Sequence, residues 1–191
     1  PDFGDQYFPK GLPPWKSPAG FIDCGAYDGY PLRNLMDGRT KIEAIAAFEP
    51  DPVNFRKLAE SVRVYASMVT ETLSLFPCGV SSMTGQIRFS AGLGTSSYVS
   101  EKGDTVIEGI KLDDALPAFR PNVIKMDIEG AEIDAMLGAR QMIEAYRPGL
   151  ALCVYHKPDH LWKIPLLAQS WLKGGHHYLR MHTYNTYELI Y

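Results

Sequence analysis

The run Lys125-Met126-Asp127-Ile128-Glu129-Gly130-Ala131-Glu132 packs three carboxylates and one ammonium around a single glycine, directly after an apolar stretch. Acids this close repel one another unless a ligand, a metal or a neighbouring cation offsets their charge, so packing alone does not account for the pattern. A second group, Asp23-Cys24-Gly25-Ala26-Tyr27-Asp28-Gly29, follows the apolar Phe21-Ile22 and spaces its glycines Gly-x-x-x-Gly. Gly25 and Gly29 lack a Cβ and let a ligand approach the main chain closely, as a turn that cradles a cofactor requires. The dinucleotide fingerprint Gly-x-Gly-x-x-Gly is absent, and Tyr27 narrows the room that a pyrophosphate needs; a cofactor without phosphates needs no such nest. A third group, Phe48-Glu49-Pro50-Asp51, lies about twenty residues beyond that loop, where an acid at the end of a second strand accepts hydrogen bonds from ribose hydroxyls. The glycine loop and Glu49 together describe two parts of a nucleoside-cofactor site.

Strands that end side by side are needed to bring these groups together. Strand-like and helix-like segments alternate along the chain, which predicts an α/β fold with a mainly parallel sheet. Strands are expected over 20–24, 44–48, 72–76, 122–128 and 149–155. A short helix over 32–36 stops at Asp37-Gly38. The next begins with Asp51 as N-cap and Pro52 in its first turn, and buries Phe55, Leu58, Ala59 and Val62 at i, i+3, i+4 and i+7. A further helix after residue 128 would place Ile133, Met136, Leu137 and Ile143 on one face. Residues 79–99 read as a β-hairpin excursion, 106–112 as a short strand, and 178–181 with 188–191 as a closing antiparallel hairpin around Asn185. The excursion at 81–104 and the segment after His156 are expected to be loops that shape a substrate pocket. His156 and His160 have helical metal-ligand spacing, with Asp127 and Glu129 as further donors, but Pro158 between them argues against one continuous helix. No metal is assigned. His176-His177 reads as a surface pair, His182 beside Arg180 as a group within reach of substrate, and Trp15, Trp162 and Trp171 as packing anchors.

The 191 residues, 46 % hydrophobic and 21 % charged, suit one domain with a substantial core. A net charge of -3 and a pI near 6.0 argue against a protein that grips nucleic acid or an acidic membrane through bulk charge. No apolar run approaches the about 18 residues of a membrane span, and no secretory signal is visible. Cys24, Cys78 and Cys153 all fall in apolar runs and are odd in number, which predicts buried, reduced thiols and a cytoplasmic protein. The sequence opens at Pro1 without an initiator Met, as an excerpt of a longer protein would. Its composition leaves the oligomeric state open.

Lys-x-Asp-Ile-Glu-Gly-Ala-Glu at 125–132, with Asp-x-Gly-x-x-x-Gly at 23–29 before it and Phe-Glu-Pro-Asp at 48–51 between, resembles the FkbM family of S-adenosylmethionine-dependent methyltransferases. The likeness runs from Phe21 to about Tyr191, and Asp5-Gln6-Tyr7-Phe8-Pro9 and Tyr155-His156-Lys157-Pro158 resemble a bacterial branch of that family. The resemblance implies a Rossmann-like class I methyltransferase over residues 20–191: a mainly parallel seven-stranded sheet, helices on both faces and a C-terminal antiparallel hairpin. Residues 1–19 would be an N-terminal lid or wrap, with the segment Tyr7 to Trp15 folding over the cofactor. The methyl acceptor would be a hydroxyl of a sugar, a glycan or another small metabolite, with no nucleic-acid partner and no membrane insertion. The backbone at Asp23, Cys24, Gly25, Ala26 and Gly29 would hold the methionine part of S-adenosylmethionine. Glu49, with Pro50 beside it, would take the ribose, and Cys78 and Gly79 would border the adenine. Asp127 would point toward the sulfonium and the acceptor.

A sulfonium already makes its methyl electrophilic, so the protein must align the acceptor oxygen and remove its proton. His156, with an ordinary pKa near 6.5, is the expected base; Asp127 or Glu129 could act instead or bind acceptor hydroxyls. Two other classes compete with this reading. One is a methyltransferase-like domain that only binds, within a larger glycan-biosynthesis protein; the other is an NAD-dependent oxidoreductase, which the missing fingerprint disfavours.

Overall fold

The protein is described by a computed structural model covering residues 6–7, 19–37, 42–90, 98–99, 103–182 and 189–191. Its centre is a parallel sheet of apolar strands, β1 (Ala19–Cys24), β2 (Ile42–Phe48), β3 (Thr70–Phe76), β8 (Val123–Met126) and β9 (Gly149–Leu152), in the order β3-β2-β1-β8-β9. Strands of this kind need cover on both faces. Phe21, Ile45, Ala47 and Val123 turn one way and pack against Leu32 of α1 (Tyr30–Asp37) and Leu58 and Val62 of α2 (Pro52–Val69). Their neighbours Ile22, Ala46, Phe48, Ile124 and Met126 turn the other way, onto α4 (Glu132–Gly138), α5 (Arg140–Tyr146) and α6 (His160–Trp171). Asp51 caps α2 as expected, its Oδ1 accepting from the Val53 and Asn54 amides at 2.8 and 3.1 Å.

The expected closing hairpin is present as β10 (Arg180–Met181) and β11 (Leu189–Ile190), antiparallel to one another. Asn185 lies outside the described residues. An antiparallel bridge between Cys153 and Ile190, flanked by Tyr191 N–H to Leu152 O at 2.9 Å, bonds this hairpin to the edge of the sheet. The central sheet therefore has five strands rather than the expected seven, with the hairpin attached at its edge as a separate two-stranded sheet.

Several expectations need correction. The excursion after β3 is a second, four-stranded sheet in the order β4-β7-β5-β6, built from β4 (Gly79–Val80), β5 (Gly85–Ser90), β6 (Tyr98–Val99) and β7 (Thr105–Ile110). It is more than a hairpin because β7 returns to pair with β4 as well as β5; Leu112, placed in that strand by sequence, opens the short helix α3 (Leu112–Ala115). The helix expected after residue 128 is two, α4 and α5, separated at Ala139. Its buried stripe is Glu132, Ala135, Met136 and Ala139, so Leu137 falls one position off it and is 43 % exposed. The segment after His156 is not a loop: α6 forms with Pro165 inside it, and its Trp162 is 53 % exposed rather than an anchor. Trp171 does pack on the core, and Trp15 lies outside the described residues. Cys24, Cys78 and Cys153 are free and buried, as expected. Among the described residues no helix is long and apolar enough to cross a membrane.

The strand ends are drawn together by backbone bonds. The Gly25 and Ala26 amides both donate to Phe48 O at 3.0 Å, and the Asp127 amide donates to Cys24 O at 3.1 Å. Gly25 sits at φ +78°, and a Cβ there would lie 1.9 Å from Asp127 O. Gly25→Ala should therefore lower stability by about 2–4 kcal/mol, through strain and displacement of the 127 loop. Urea denaturation measures this, and an unchanged midpoint would contradict the close approach.

Candidate active site

Asp23 and Lys125 are paired in register on the adjacent central strands β1 and β8, and their side chains share a face. Lys125 Nζ lies 3.0 Å from Asp23 Oδ1, with both side chains almost completely buried. The same ammonium donates to Gly25 O at 2.6 Å and reaches Cys24 O at 3.4 Å, so one cation neutralises the strand acid and pins the glycine loop. Burial alone would push the ammonium down; the charges of Asp23 and Asp127 outweigh it and hold Lys125 above its usual value. Its Nζ also sits 5.1 Å from the centre of the Tyr7 ring.

A cavity of about 590 Å³ opens where these strands end. That size is within the usual range of small-molecule and cofactor sites. Of the residues assigned from sequence, Gly25, Glu49, Pro50, Cys78, Gly79, Asp127 and Glu129 line it. Asp23, Cys24 and Ala26 are fully buried behind that wall, and Gly29 and His156 also lie outside the lining. Glu49 accepts one backbone amide on each oxygen, Tyr27 N on Oε2 and Asp51 N on Oε1, both at 2.9 Å. Each oxygen keeps a lone pair for a further donor such as a ribose hydroxyl. Burial raises the Glu49 carboxyl above its ordinary value, with those two amides pulling it back. Burial also pushes the Cys78 thiol up to about 11, helped by Glu108. At the start of α1, Asp28 Oδ1 accepts the Tyr30 amide at 2.9 Å and Oδ2 pairs with Arg33 at 3.1 Å. The helix terminus that would seat a pyrophosphate thus already holds a carboxylate of the chain.

Beyond β8, Asp127 and Glu129 face the cavity and His156 stands behind them. His156 Nε2 is 3.3 Å from Asp127 Oδ1 and 3.5 Å from Glu129 Oε1. Its Nδ1 is 2.8 Å from Glu132 Oε1, which also accepts the Ile128 and Gly130 amides at 3.0 and 3.3 Å. Glu132 Oε2 is in turn 3.0 Å from His160 Nδ1. The two histidines therefore meet through Glu132, and only His156 approaches Asp127 and Glu129. Burial tends to lower the His156 pKa, but Glu129, Glu132 and Asp127 outweigh it and raise it to about 10. Burial likewise opposes ionisation of Glu132, yet the two histidines hold its carboxyl down at about 2.

From sequence Tyr7 has a place only in the expected lid segment, with no contact of its own. Its hydroxyl donates to Asp127 Oδ2 at 2.6 Å, and its ring lines the cavity. Its pKa is raised, chiefly by burial and then by Asp127, so the hydroxyl keeps its proton. The remainder of the expected lid, residues 8–18, lies outside the described residues. Tyr27, Asn54, Phe89 and Tyr155 also line the cavity, and apart from Tyr27's place in the glycine loop no spacing signal marks them. His176 and His177 are exposed, and His182 does not line the cavity.

A parallel sheet of this order, extended by an antiparallel hairpin and carrying a nucleoside-sized cavity at its strand ends, is the architecture of a class I methyltransferase. The chain belongs to the FkbM methyltransferase family: the profile of the methyltransferase FkbM domain matches residues 23–184. Over 107 residues it is 30 % identical to the hexuronic acid methyltransferase AglP of Haloferax volcanii, which covers 53 % of this chain and 43 % of that protein. The crystal structure of methyltransferase FkbM from Methylobacillus flagellatus KT, at 2.20 Å resolution, matches with a TM-score of 0.83 and 27 % identity, over 98 % of this chain and 46 % of that one. The chain thus spans less than half the length of each relative.

Removing one partner of the central ion pair leaves the other charged and buried. Lys125→Met should cost about 3–5 kcal/mol, and adding Asp23→Asn should return a large part of it. Denaturant melts of the two single variants and the double variant measure this; strictly additive losses would show that the pair is not coupled.

Proposed function

We propose that this chain transfers a methyl group from S-adenosylmethionine to a hydroxyl of a sugar or related small metabolite. The observation that carries the reading is the charge of the cavity. Asp28, Glu49, Asp127 and Glu129 line it, against Lys125 as the one basic side chain among the described lining residues. Such a wall attracts a cofactor bearing a sulfonium and an ammonium and repels an anionic dinucleotide. The residues fit the methyl donor. Gly25 and Gly79 present backbone without side chains, Glu49 keeps acceptor capacity for the ribose, and Cys78 with Pro50 supplies less polar surface for the base. The donor would supply an electrophilic methyl on sulfur. The protein's task would then be to hold the acceptor and take its proton, a role that Asp127 and Glu129 would share with His156, whose Nε2 lies 3.3 and 3.5 Å from them. The hexuronic acid named for the archaeal relative supports a saccharide acceptor. The buried free thiols are in keeping with a cytoplasmic protein.

Calorimetry should show S-adenosylhomocysteine binding and no NAD binding; the reverse would sink the reading. Glu49→Ala should weaken that binding by about 10- to 100-fold, the loss of hydrogen bonds to a charged acceptor. Asp127→Asn and His156→Ala should lower methyl transfer to uronic acid and neutral sugar acceptors by about 10²-fold or more with S-adenosylhomocysteine still bound. Near-normal turnover in either variant would remove that residue from the catalytic group.

A further inference from the structure

Asp127 Oδ1, Glu129 Oε1 and His156 Nε2 converge on one point. One ligand atom from each residue lies within 4.8 Å of those of the other two, and Nε2 is 3.3 and 3.5 Å from Asp127 Oδ1 and Glu129 Oε1. Donor atoms placed about 2.1 Å from a divalent cation stand about 3.0 Å apart at a right angle and about 3.4 Å apart at a tetrahedral angle. The two separations from Nε2 are therefore in the range of neighbouring ligands around one ion.

Independent observations point the same way. The His156 side chain is 5 % exposed, and its Nε2, buried and aimed at the carboxylates, makes no hydrogen bond. Its Nδ1 is held by Glu132, which is itself fixed by two backbone amides. A carboxylate behind a histidine in this way orients the ring with Nε2 toward the two carboxylates, where a cation would take the place of the proton. Asp127 is supported similarly, its second oxygen held by the Tyr7 hydroxyl at 2.6 Å while Oδ1 stays turned toward His156.

We infer that Asp127, Glu129 and His156 form a divalent-cation site at the acceptor end of the cavity, with its remaining coordination positions open to acceptor oxygens. One imidazole nitrogen and two carboxylate oxygens, without a thiolate, suit Mn²⁺ or a similar first-row ion better than Ca²⁺. The ion gives the two cavity-facing acids a counter-charge and turns an acidic wall into a surface that attracts hydroxyl and carboxylate oxygens. Its role toward an acceptor rests on the methyl-transfer reading above; the cation site itself rests on the geometry of the three side chains.

Electron paramagnetic resonance of the chain titrated with Mn²⁺ tests this. One equivalent should bind, with a nitrogen coupling from a single imidazole in the spin-echo spectrum. His156→Gln should abolish that coupling. Glu129→Gln, at a side chain 31 % exposed, is the variant expected to fold normally, and it should weaken Mn²⁺ binding by about 10-fold or more. Failure to bind Mn²⁺ stoichiometrically, or unchanged affinity in a folded Glu129→Gln, would overturn the site. Calorimetry with S-adenosylhomocysteine separates the two readings. Binding of that ligand without Mn²⁺ refutes the cation site and leaves methyl transfer standing, whereas imidazole-coordinated Mn²⁺ without it supports the site and counts against methyl transfer.

Discussion

The Lys125 ammonium, buried between β1 and β8, is the interaction on which the site depends. A buried ion pair is a poor source of net stability, because desolvating two charges consumes most of their attraction. Its value here is positional. Lys125 satisfies Asp23 and at the same time donates to Gly25 O, so the loop after β1 is held by the strand beside it. Gly25 answers from the other side by lying against Asp127 O, at a distance that admits no Cβ. The loops after β1 and β8 are thus locked to one another before any ligand arrives, as a preorganised site requires.

The second constraint is charge balance. The three acids of the 127–132 turn invited a search for what offsets them. Glu132 is offset within the protein: it is fully buried, between His156 and His160, and accepts two backbone amides. Asp127 is partly offset by the Tyr7 hydroxyl and by proximity to Lys125. Glu129 has no such buried support and faces the cavity with Asp127, with His156 behind them. The turn therefore divides into one acid that builds the fold and two that face the cavity, a division that the spacing Asp-x-Glu-x-x-Glu does not reveal.

How much of this was legible in the sequence varies with how local the causes are. Five parallel strands, the Asp51 cap and the C-terminal hairpin follow from apolar runs, N-cap chemistry and residue alternation within a few positions. Gly25 and Glu49 were found because a cofactor loop and a strand-end acid recur at fixed spacing, and both line the cavity. The helix at His160–Trp171 was missed because Pro158 read as a breaker; Pro158 precedes the helix, and Pro165 is tolerated within it. The second sheet was under-read because its pairing is set by β7 reaching back to β4, across about thirty residues, and no local pattern encodes that return.

The same distinction runs through the site itself. Its glycine-loop side is assembled from segments that follow successive strands, the turns after β1, β2 and β3, and each carries its own short motif. Its Asp127 side is assembled from distant parts of the chain. Tyr7 reaches Asp127 across 120 positions, and His156 comes from beyond β9. Tyr7 also packs with Ala151, Cys153 and Ile190, so the residue whose hydroxyl meets Asp127 is itself seated on β9 and the closing hairpin. A change at Tyr7, or in the packing around it, would then alter the support of Asp127 without touching the glycine loop. The glycine-loop side thus rests on local motifs and the Asp127 side on contacts between distant segments, which is why short sequence patterns describe the first side and not the second.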